Sequence, residues 1–138
     1  MDTKRKGDVA ELNVLAKLTE MGVDISEPYG EDTRYDFIAD INGALVKLQV
    51  KNGVYKNGKI CASLQSTRYN SNGSSTVSYS KDNVDVFVIY SPYTDGVYWV
   101  PFDGAPKTGI ELRVEEAEQK SSLINWASDY RLNEDQTV

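Results

Sequence analysis

The sequence predicts an α/β fold in which a β-sheet is flanked by α-helices. Three observations predict it: an apolar stripe of helical period near the N-terminus, an Asn-Gly pair between two strand-like segments, and strand-like alternation in the second half of the chain. The 138 residues have the size of one ordinary domain. We therefore expect a single domain over residues 1–138, with residues 133–138 frayed.

Residues 3–21 are predicted to form the first helix. Small and apolar side chains repeat along one face of this segment, at Val9, Ala10, Leu12, Val14, Leu15, Leu18 and Met21. Gly22 follows as a suitable helix stop. Glu11 shares the apolar stripe, so it is either an edge residue that reaches water or a carboxylate aimed at a cleft.

Residues 35–41 and 44–51 form the clearest predicted hairpin. Asn42-Gly43 suits the two-residue turn between them, because both turn positions need a positive φ. Such a turn fixes the register and places Phe37 opposite Leu48 on a wholly apolar face. We expect that face to pack on the core, against the helix.

The other face of this hairpin carries polar groups at its open end. In the predicted register Asp36 faces Gln49, and Lys51 lies diagonal to Asp36 on the same face. A carboxylate, an amide oxygen and an ammonium group therefore converge. One interpretation of Asp36 and Lys51 is a cross-strand salt bridge, worth about 0.2–1 kcal/mol if exposed; the other is a catalytic site.

Downstream segments supply the remaining predicted elements. Asn57-Gly58 offers a second hairpin turn, and residues 66–80, rich in Ser, Asn, Thr and Gly, are predicted to be a mobile loop. The other elements are strands over Ile60–Gln65, 84–91, Val97–Phe102 and Ile110–Val114, and a helix over about 115–128.

The absence of histidine and the single cysteine exclude several chemistries. No Ser-His-Asp or Cys-His system, histidine-containing zinc site, Cys₄ site or internal disulfide can be built. No signal peptide is expected from the charged segment Met1–Lys6, and no apolar run approaches the ~20 residues of a membrane span. We expect an intracellular protein without a membrane partner, cytoplasmic and associated with the nucleoid.

The net charge of −6 is unevenly distributed along the chain. Residues 41–81 contain six bases and no acid, whereas residues 1–40 sum to −5 and residues 82–138 to −7. The acid-free segment also carries three tyrosines and many Asn and Ser side chains, a mixture that suits contact with phosphates and bases. The alternative is a solvated sheet face; the length of the segment favours a surface for a polyanion.

Phosphodiester hydrolysis can use the groups that the first hairpin brings together. Carboxylate and carbonyl oxygens are the ligands that Mg²⁺ prefers. The metal polarises the phosphate and activates a water molecule, and a nearby lysine can orient that water or neutralise developing charge. Metal, carboxylate and lysine are the catalytic groups that remain in a chain without histidine.

The chain resembles the PD-(D/E)XK nuclease superfamily. The motif is carried by Tyr35-Asp36-Phe37 and Gln49-Val50-Lys51, with Glu11 upstream and the strands Asp85–Tyr90 and Tyr98–Pro101 downstream. The pattern is similar to small members such as group I intron homing endonucleases and archaeal Holliday junction resolvases. The resemblance implies a restriction-endonuclease-like α/β fold, with a central mixed β-sheet flanked by α-helices.

The resemblance also implies roles for the site residues. Asp36 would be the principal metal ligand, Gln49 a second ligand through its side-chain oxygen with the Val50 carbonyl beside it, Lys51 the catalytic lysine, and Glu11 an outer or water-mediated ligand. Mg²⁺ is the expected cofactor, and Mn²⁺ is expected to substitute. Tyr35 stands where the family name implies proline, and Gln49 where an acid is usual; glutamine adds no charge, so metal affinity should fall.

Double-stranded DNA is the expected substrate, cut by a metal-dependent endodeoxyribonuclease. The candidates for DNA contact are basic, aromatic or amide side chains of the acid-free segment: Lys47, Lys56, Lys59, Arg68, Tyr69 and Asn70. Cutting both strands needs two active sites, so a homodimer or homotetramer is expected.

Several functions remain open for this sequence. The expected one is a site-specific homing-type endonuclease, and a Holliday junction resolvase or a restriction-type nuclease would use the same site. A DNA-binding module made inactive by Gln49 would bind DNA without metal. An interaction protein whose acidic C-terminal part meets a basic partner would not bind DNA.

Overall fold

A five-stranded mixed sheet forms the centre of the fold in a computed structural model, which describes residues 1–115 and 123–133 and, at residues 68–70, the backbone alone. The elements are α1 (Thr3–Glu20), β1 (Asp24–Ser26), β2 (Phe37–Ile41), β3 (Ala44–Asn52), β4 (Val54–Lys56), β5 (Lys59–Ser63), β6 (Gln65–Asn70), β7 (Gly73–Ser78), β8 (Val86–Ser91), β9 (Gly96–Pro101), β10 (Gly109–Arg113) and α2 (Ala127–Tyr130). The central sheet has the order β1-β2-β3-β8-β9, in which β3 and β8 are parallel and the other neighbours antiparallel. The α/β fold with a central mixed sheet is as predicted.

Helix α1 covers one face of the central sheet. The Asp2 side chain accepts a hydrogen bond from the Arg5 N–H at 2.8 Å and caps the start of the helix. Ala10, Val14 and Leu18 are buried on the helix face that packs against β3 and β8. The helix ends within a residue of the predicted position.

The first hairpin has the predicted register. Its turn residues Asn42 and Gly43 have φ values of 54° and 89°, and Phe37 pairs with Leu48. Both side chains are buried in the core beneath α1. The two-residue turn therefore sets which side chains of β2 and β3 point away from the helix, towards the site.

A second core lies on the opposite face of the central sheet. It joins that sheet to the small sheet β10-β5-β4, with Ile60 and Leu112 from the small sheet packed near Phe87 and Ile89 of β8. Strand β8 is buried along its whole length because it lies between the two cores. The face of β3 that carries Gln49 and Lys51 is turned towards this second core.

The prediction of a mobile loop over residues 66–80 is wrong, because β6 and β7 form a two-stranded antiparallel ribbon there. The pairing runs from Gln65 opposite Ser78 to Asn70 opposite Gly73. The strands satisfy each other's backbone groups, and none of their described side chains is fully buried, so their polar composition shows no apolar alternation. In particular, Thr67 pairs with Thr76, a favourable cross-strand combination.

The prediction of a helix over about 115–128 is also wrong for residues 123–126, which the structure describes as non-helical. Residues 116–122 lie outside the described part of the chain, and α2 begins only at Ala127. Leu123 is 88% exposed, and the Asn125 carbonyl accepts a hydrogen bond from the Arg113 N–H at 2.8 Å. This segment therefore runs beside β10 instead of presenting a helical stripe. Of the predicted frayed end, only Asn133 is described.

Neither helix described in the structure is both long and apolar enough to cross a lipid bilayer.

Candidate active site

Asp36 lies at the open end of the first hairpin, one residue before β2. Its N–H donates to the Leu48 carbonyl at 2.8 Å, and its Oδ2 accepts from the Val50 N–H at 2.8 Å. Burial raises the pKa of the Asp36 carboxyl, against the opposing effects of the Val50 hydrogen bond and the Lys51 charge. The carboxylate is thus held rigidly and at a cost that an added cation would reduce.

Glu11 reaches Asp36 from the first half of α1. Burial raises the pKa of Glu11 to about 7, helped by the negative charges of Asp36, Asp8 and Glu27 in that order. The side chain is half-buried. Glu11 is therefore close enough to Asp36 for the charge of one carboxylate to disfavour ionisation of the other side chain.

Lys51 is held by the base of the β6–β7 ribbon. Its Nζ donates to the Gln65 carbonyl at 2.9 Å and to the Tyr79 hydroxyl at 3.2 Å, and lies 5.0 Å from the centre of the Tyr79 ring. Among the ion pairs of the described residues, none joins Lys51 to Asp36. The salt-bridge interpretation of this pair is not what the structure shows.

Gln49 and Val50 are consecutive residues of β3, and the Val50 N–H is the group that binds Asp36. The Gln49 amide nitrogen lies 3.5 Å from the Val50 carbonyl oxygen, and Gln49 is in register with Phe87 of β8. Within the described chain, no group of three His, Cys, Asp or Glu side chains could hold a metal by itself. A metal here would need the amide and backbone oxygens beside the two carboxylates. This all-oxygen donor set with two mutually repelling acids fits a hard divalent cation.

Arg34 is a neighbour of the site that the sequence analysis did not identify. Its guanidinium carbon lies 5.0 Å from the centre of the Tyr79 ring. Its Nη2 is buried and has no hydrogen-bond partner in the described structure. Tyr79 is fixed by an edge-to-face contact with Phe87, with ring centres 5.6 Å apart. In the sequence, the one feature that could have indicated a role for Arg34 is its position two residues before Asp36.

A cleft of about 480 Å³ opens beside these residues. Tyr79 and Phe87 line it together with Leu64 and Phe102, and Lys107 and Asp103 lie at its polar side. Because Phe87 is the strand neighbour of Gln49, this cleft adjoins the face that carries Gln49 and Lys51.

The predicted DNA-contact residues lie in different places. Lys47 donates from Nζ to the Asp82 carbonyl at 2.5 Å, and Lys59 pairs with Glu111 at 2.9 Å. Lys56 is exposed at the turn end of β4. Lys56 and Lys59 are at the far end of β5 from Gln65, about 20 Å away at the usual rise of a strand.

The three candidates on the ribbon share one strand. Arg68, Tyr69 and Asn70 form the outer half of β6, opposite Ser75, Ser74 and Gly73. The ribbon starts at the Gln65 contact with Lys51 and extends about 20 Å from it. Lys51 and the ribbon are therefore adjacent, whereas the β4–β5 turn is remote.

A central mixed sheet with a hairpin that presents an aspartate and a lysine, and a helix that adds a glutamate, defines a nuclease of the restriction-endonuclease-like class. The model of the PD-(D/E)XK endonuclease family matches residues 1–133, and the chain belongs to this family. It is thus a DNA endonuclease by family, and nucleases of this family generally use divalent metals.

The structure is similar to that of a bacterial homing endonuclease, I-Ssp6803I. The TM-score is 0.79 at 27% sequence identity, over 95% of this chain and 89% of the other. A comparison with curated proteins gives no match.

Proposed function

We propose that this chain is a Mg²⁺-dependent, site-specific endonuclease of the homing type that cuts double-stranded DNA. The observation that carries the proposal is the Asp36 carboxylate bound to the Val50 N–H of β3, next to Lys51 on the same strand, with Glu11 near enough to feel the Asp36 charge. The similarity to a bacterial homing endonuclease favours the homing type over a junction resolvase or a restriction enzyme.

The proposed metal ligands are Asp36, Gln49 and the Val50 carbonyl, with Glu11 as an outer ligand. Burial raises the pKa of both carboxyls, and the Asp36 charge raises that of Glu11 further, so a bound divalent cation would favour their ionised forms. Bound there, Mg²⁺ or Mn²⁺ would supply Lewis-acid activation of the phosphodiester and of the attacking water. The Val50 N–H keeps the Asp36 carboxylate oriented while this happens.

Lys51 is proposed as the catalytic lysine. Its two hydrogen-bond acceptors are both neutral, so its positive charge has no carboxylate partner within ion-pair distance in the described structure. An ammonium group in this state can orient water or stabilise negative charge at phosphorus.

The β6–β7 ribbon is proposed to bind the DNA. Two-stranded ribbons fit the major groove, and this one carries Arg68, Tyr69 and Asn70 at the strand positions farthest from its base. Since the base of the ribbon touches Lys51, DNA held by the ribbon lies beside the site. Lys56 and Lys59 would add only remote phosphate contacts, and Lys47 is already bonded to the Asp82 carbonyl.

A homodimer or homotetramer is proposed because each chain carries one such site. Breaking both strands of a duplex requires two sites related by symmetry. Sedimentation of the protein, alone and with DNA, measures this directly: a monomer on cleaved duplex contradicts the oligomer and leaves the nuclease intact.

The experiment is cleavage of a randomised duplex library, with long natural DNA and four-way junctions as competitors. The wild type should cut a defined duplex site with Mg²⁺ and lose activity in EDTA. Asp36→Asn should abolish cleavage, whereas Asp24→Asn, an exposed aspartate of β1, should not. If the wild type instead binds DNA in a salt-sensitive manner but cleaves none of the DNAs, and Gln49→Glu gains cleavage, the chain is an inactive DNA-binding module.

A further inference from the structure

We propose that Arg34 is a second cationic catalytic residue, which contacts the scissile phosphodiester opposite the metal ligands and stabilises the charge that develops on it. This inference rests on the proposed nuclease function and names a group outside the PD-(D/E)XK motif. It starts from the one buried side-chain nitrogen or oxygen that has no hydrogen-bond partner among the described residues, Arg34 Nη2.

A buried donor without a partner is costly, and more so when it is charged. Arg34 forms no ion pair with an acid within 4 Å in the described part of the chain. Its charge rests instead on the face of the Tyr79 ring. The native structure therefore keeps a partly exposed guanidinium in place with one buried donor unused; in the proposal, the incoming anion contacts the exposed part of the side chain and a small rotation brings the unused donor to it.

The position of Arg34 identifies that partner. Arg34 precedes Asp36 by two residues, and it shares the Tyr79 ring with Lys51. Each cation lies 5.0 Å from the ring centre, so the guanidinium carbon and the lysine nitrogen are at most 10 Å apart. A phosphate that accepts a charged hydrogen bond through each of two oxygens spans about 8 Å between donors. In the proposed complex, Arg34 and Lys51 lie within this span and contact the same phosphodiester.

Tyr79 acts as a positioning residue in this arrangement. Its ring supports Arg34, its hydroxyl accepts from Lys51, and its edge-to-face contact with Phe87 fixes the ring against β8. Arginine suits this role better than lysine, because its planar fork stacks on an aromatic ring and binds two phosphate oxygens at once.

The test compares single-turnover cleavage and DNA affinity for Arg34→Gln, Arg34→Lys and Arg34→Ala. With DNA saturating, Arg34→Gln should cut about 100-fold more slowly, the usual effect of removing one donor to a transition-state oxyanion. Its Kd for DNA, measured with Ca²⁺ by anisotropy, should stay near the wild-type value. Arg34→Lys should retain more activity than Arg34→Gln, and millimolar guanidinium chloride should partly restore Arg34→Ala.

Arg131→Gln is the matched control, because Arg131 also lies on a tyrosine ring, 5.9 Å from the centre of Tyr98, away from the site. It should cut at the wild-type rate. Tyr79→Leu should reproduce the loss seen in Arg34→Gln, and the two changes together should cost little more than either one. Tyr79→Phe should keep the support for Arg34.

The outcomes separate this inference from the proposed function. A wild type that cuts no DNA contradicts the nuclease itself. A cutting wild type with an equally active Arg34→Gln overturns the role of Arg34. A loss of affinity with an unchanged rate at saturation also overturns it, because the contact would then be to a non-reacting phosphate. If Arg34→Gln does not fold, guanidinium rescue of Arg34→Ala decides, and no rescue counts against the inference.

Discussion

Replacing Glu11 by glutamine should make the metal-free protein more stable at neutral pH. The pKa of Glu11 is raised from 4.5 to about 7, so between these values the folded protein holds a proton that the unfolded chain has lost. The contribution of Glu11 to the free energy of unfolding is therefore greatest below pH 4.5, falls as the pH rises to 7, and is then level. Each pKa unit corresponds to about 1.4 kcal/mol, and solvent screening of a half-buried group reduces the total to about 1–2 kcal/mol. Glu11→Gln should regain that amount at pH 8.

The measurement is urea unfolding in EDTA at a series of pH values from 5 to 8, for the wild type, Glu11→Gln and Glu20→Gln. Glu20 lies near the end of the same helix with its side chain 57% exposed, so its removal should leave the pH dependence unchanged. Mg²⁺ should stabilise the wild type at pH 8 more than Glu11→Gln. If the stability curves of the wild type and Glu11→Gln run parallel across this range, folding does not raise the pKa of Glu11, and the reasoning is refuted.

Further predictions concern packing, DNA contacts and metal linkage. Gly53→Ala should destabilise the fold by about 1–3 kcal/mol in urea unfolding, because the new Cβ would lie 2.5 Å from Ile60 Cγ2; Gly7→Ala, with open space around it in α1, should stabilise by about 0.5–1 kcal/mol. Lys56→Gln should reduce the salt dependence of DNA binding by about one unit of slope, and Lys59→Gln should reduce it less, since Lys59 is already paired with an acid. Saturating DNA should increase the affinity for Ca²⁺, measured by calorimetry, and Ca²⁺ should increase the affinity for DNA by the same factor; unequal factors would refute the linkage.

The central hairpin could be predicted from sequence because one local feature fixes it. A two-residue Asn42-Gly43 turn allows a single register, and that register determines which side of β3 carries Gln49 and Lys51. The helix was equally clear, since its apolar stripe must pack on the sheet. In both cases the spacing of apolar residues along the chain predicts which side chains are buried.

The ribbon and Arg34 could not be predicted for two different reasons. The β6–β7 ribbon is stabilised by its own pairing and consists mostly of polar residues, so no apolar alternation marks it. The contact between Arg34 and Tyr79 joins residues 45 positions apart, and it exists only because the ribbon returns the chain to the hairpin. A motif search that looks for acids and a lysine passes over an arginine whose partner is an aromatic ring.

The site holds charges of both signs, and no ion pair joins them in the described structure, although the Lys51 charge lowers the pKa of Asp36. Glu11 and Asp36 repel each other on one side, while Arg34 and Lys51 rest on Tyr79 without acids of their own in the described structure. A direct pairing of these acids and bases would stabilise the fold and close the site. Keeping them apart leaves one side suited to a divalent cation and the other to a phosphate anion. A metal-bound phosphodiester supplies a cation for the two acids and an anion for the two bases. Its binding should therefore be favoured over that of the metal or the phosphodiester alone.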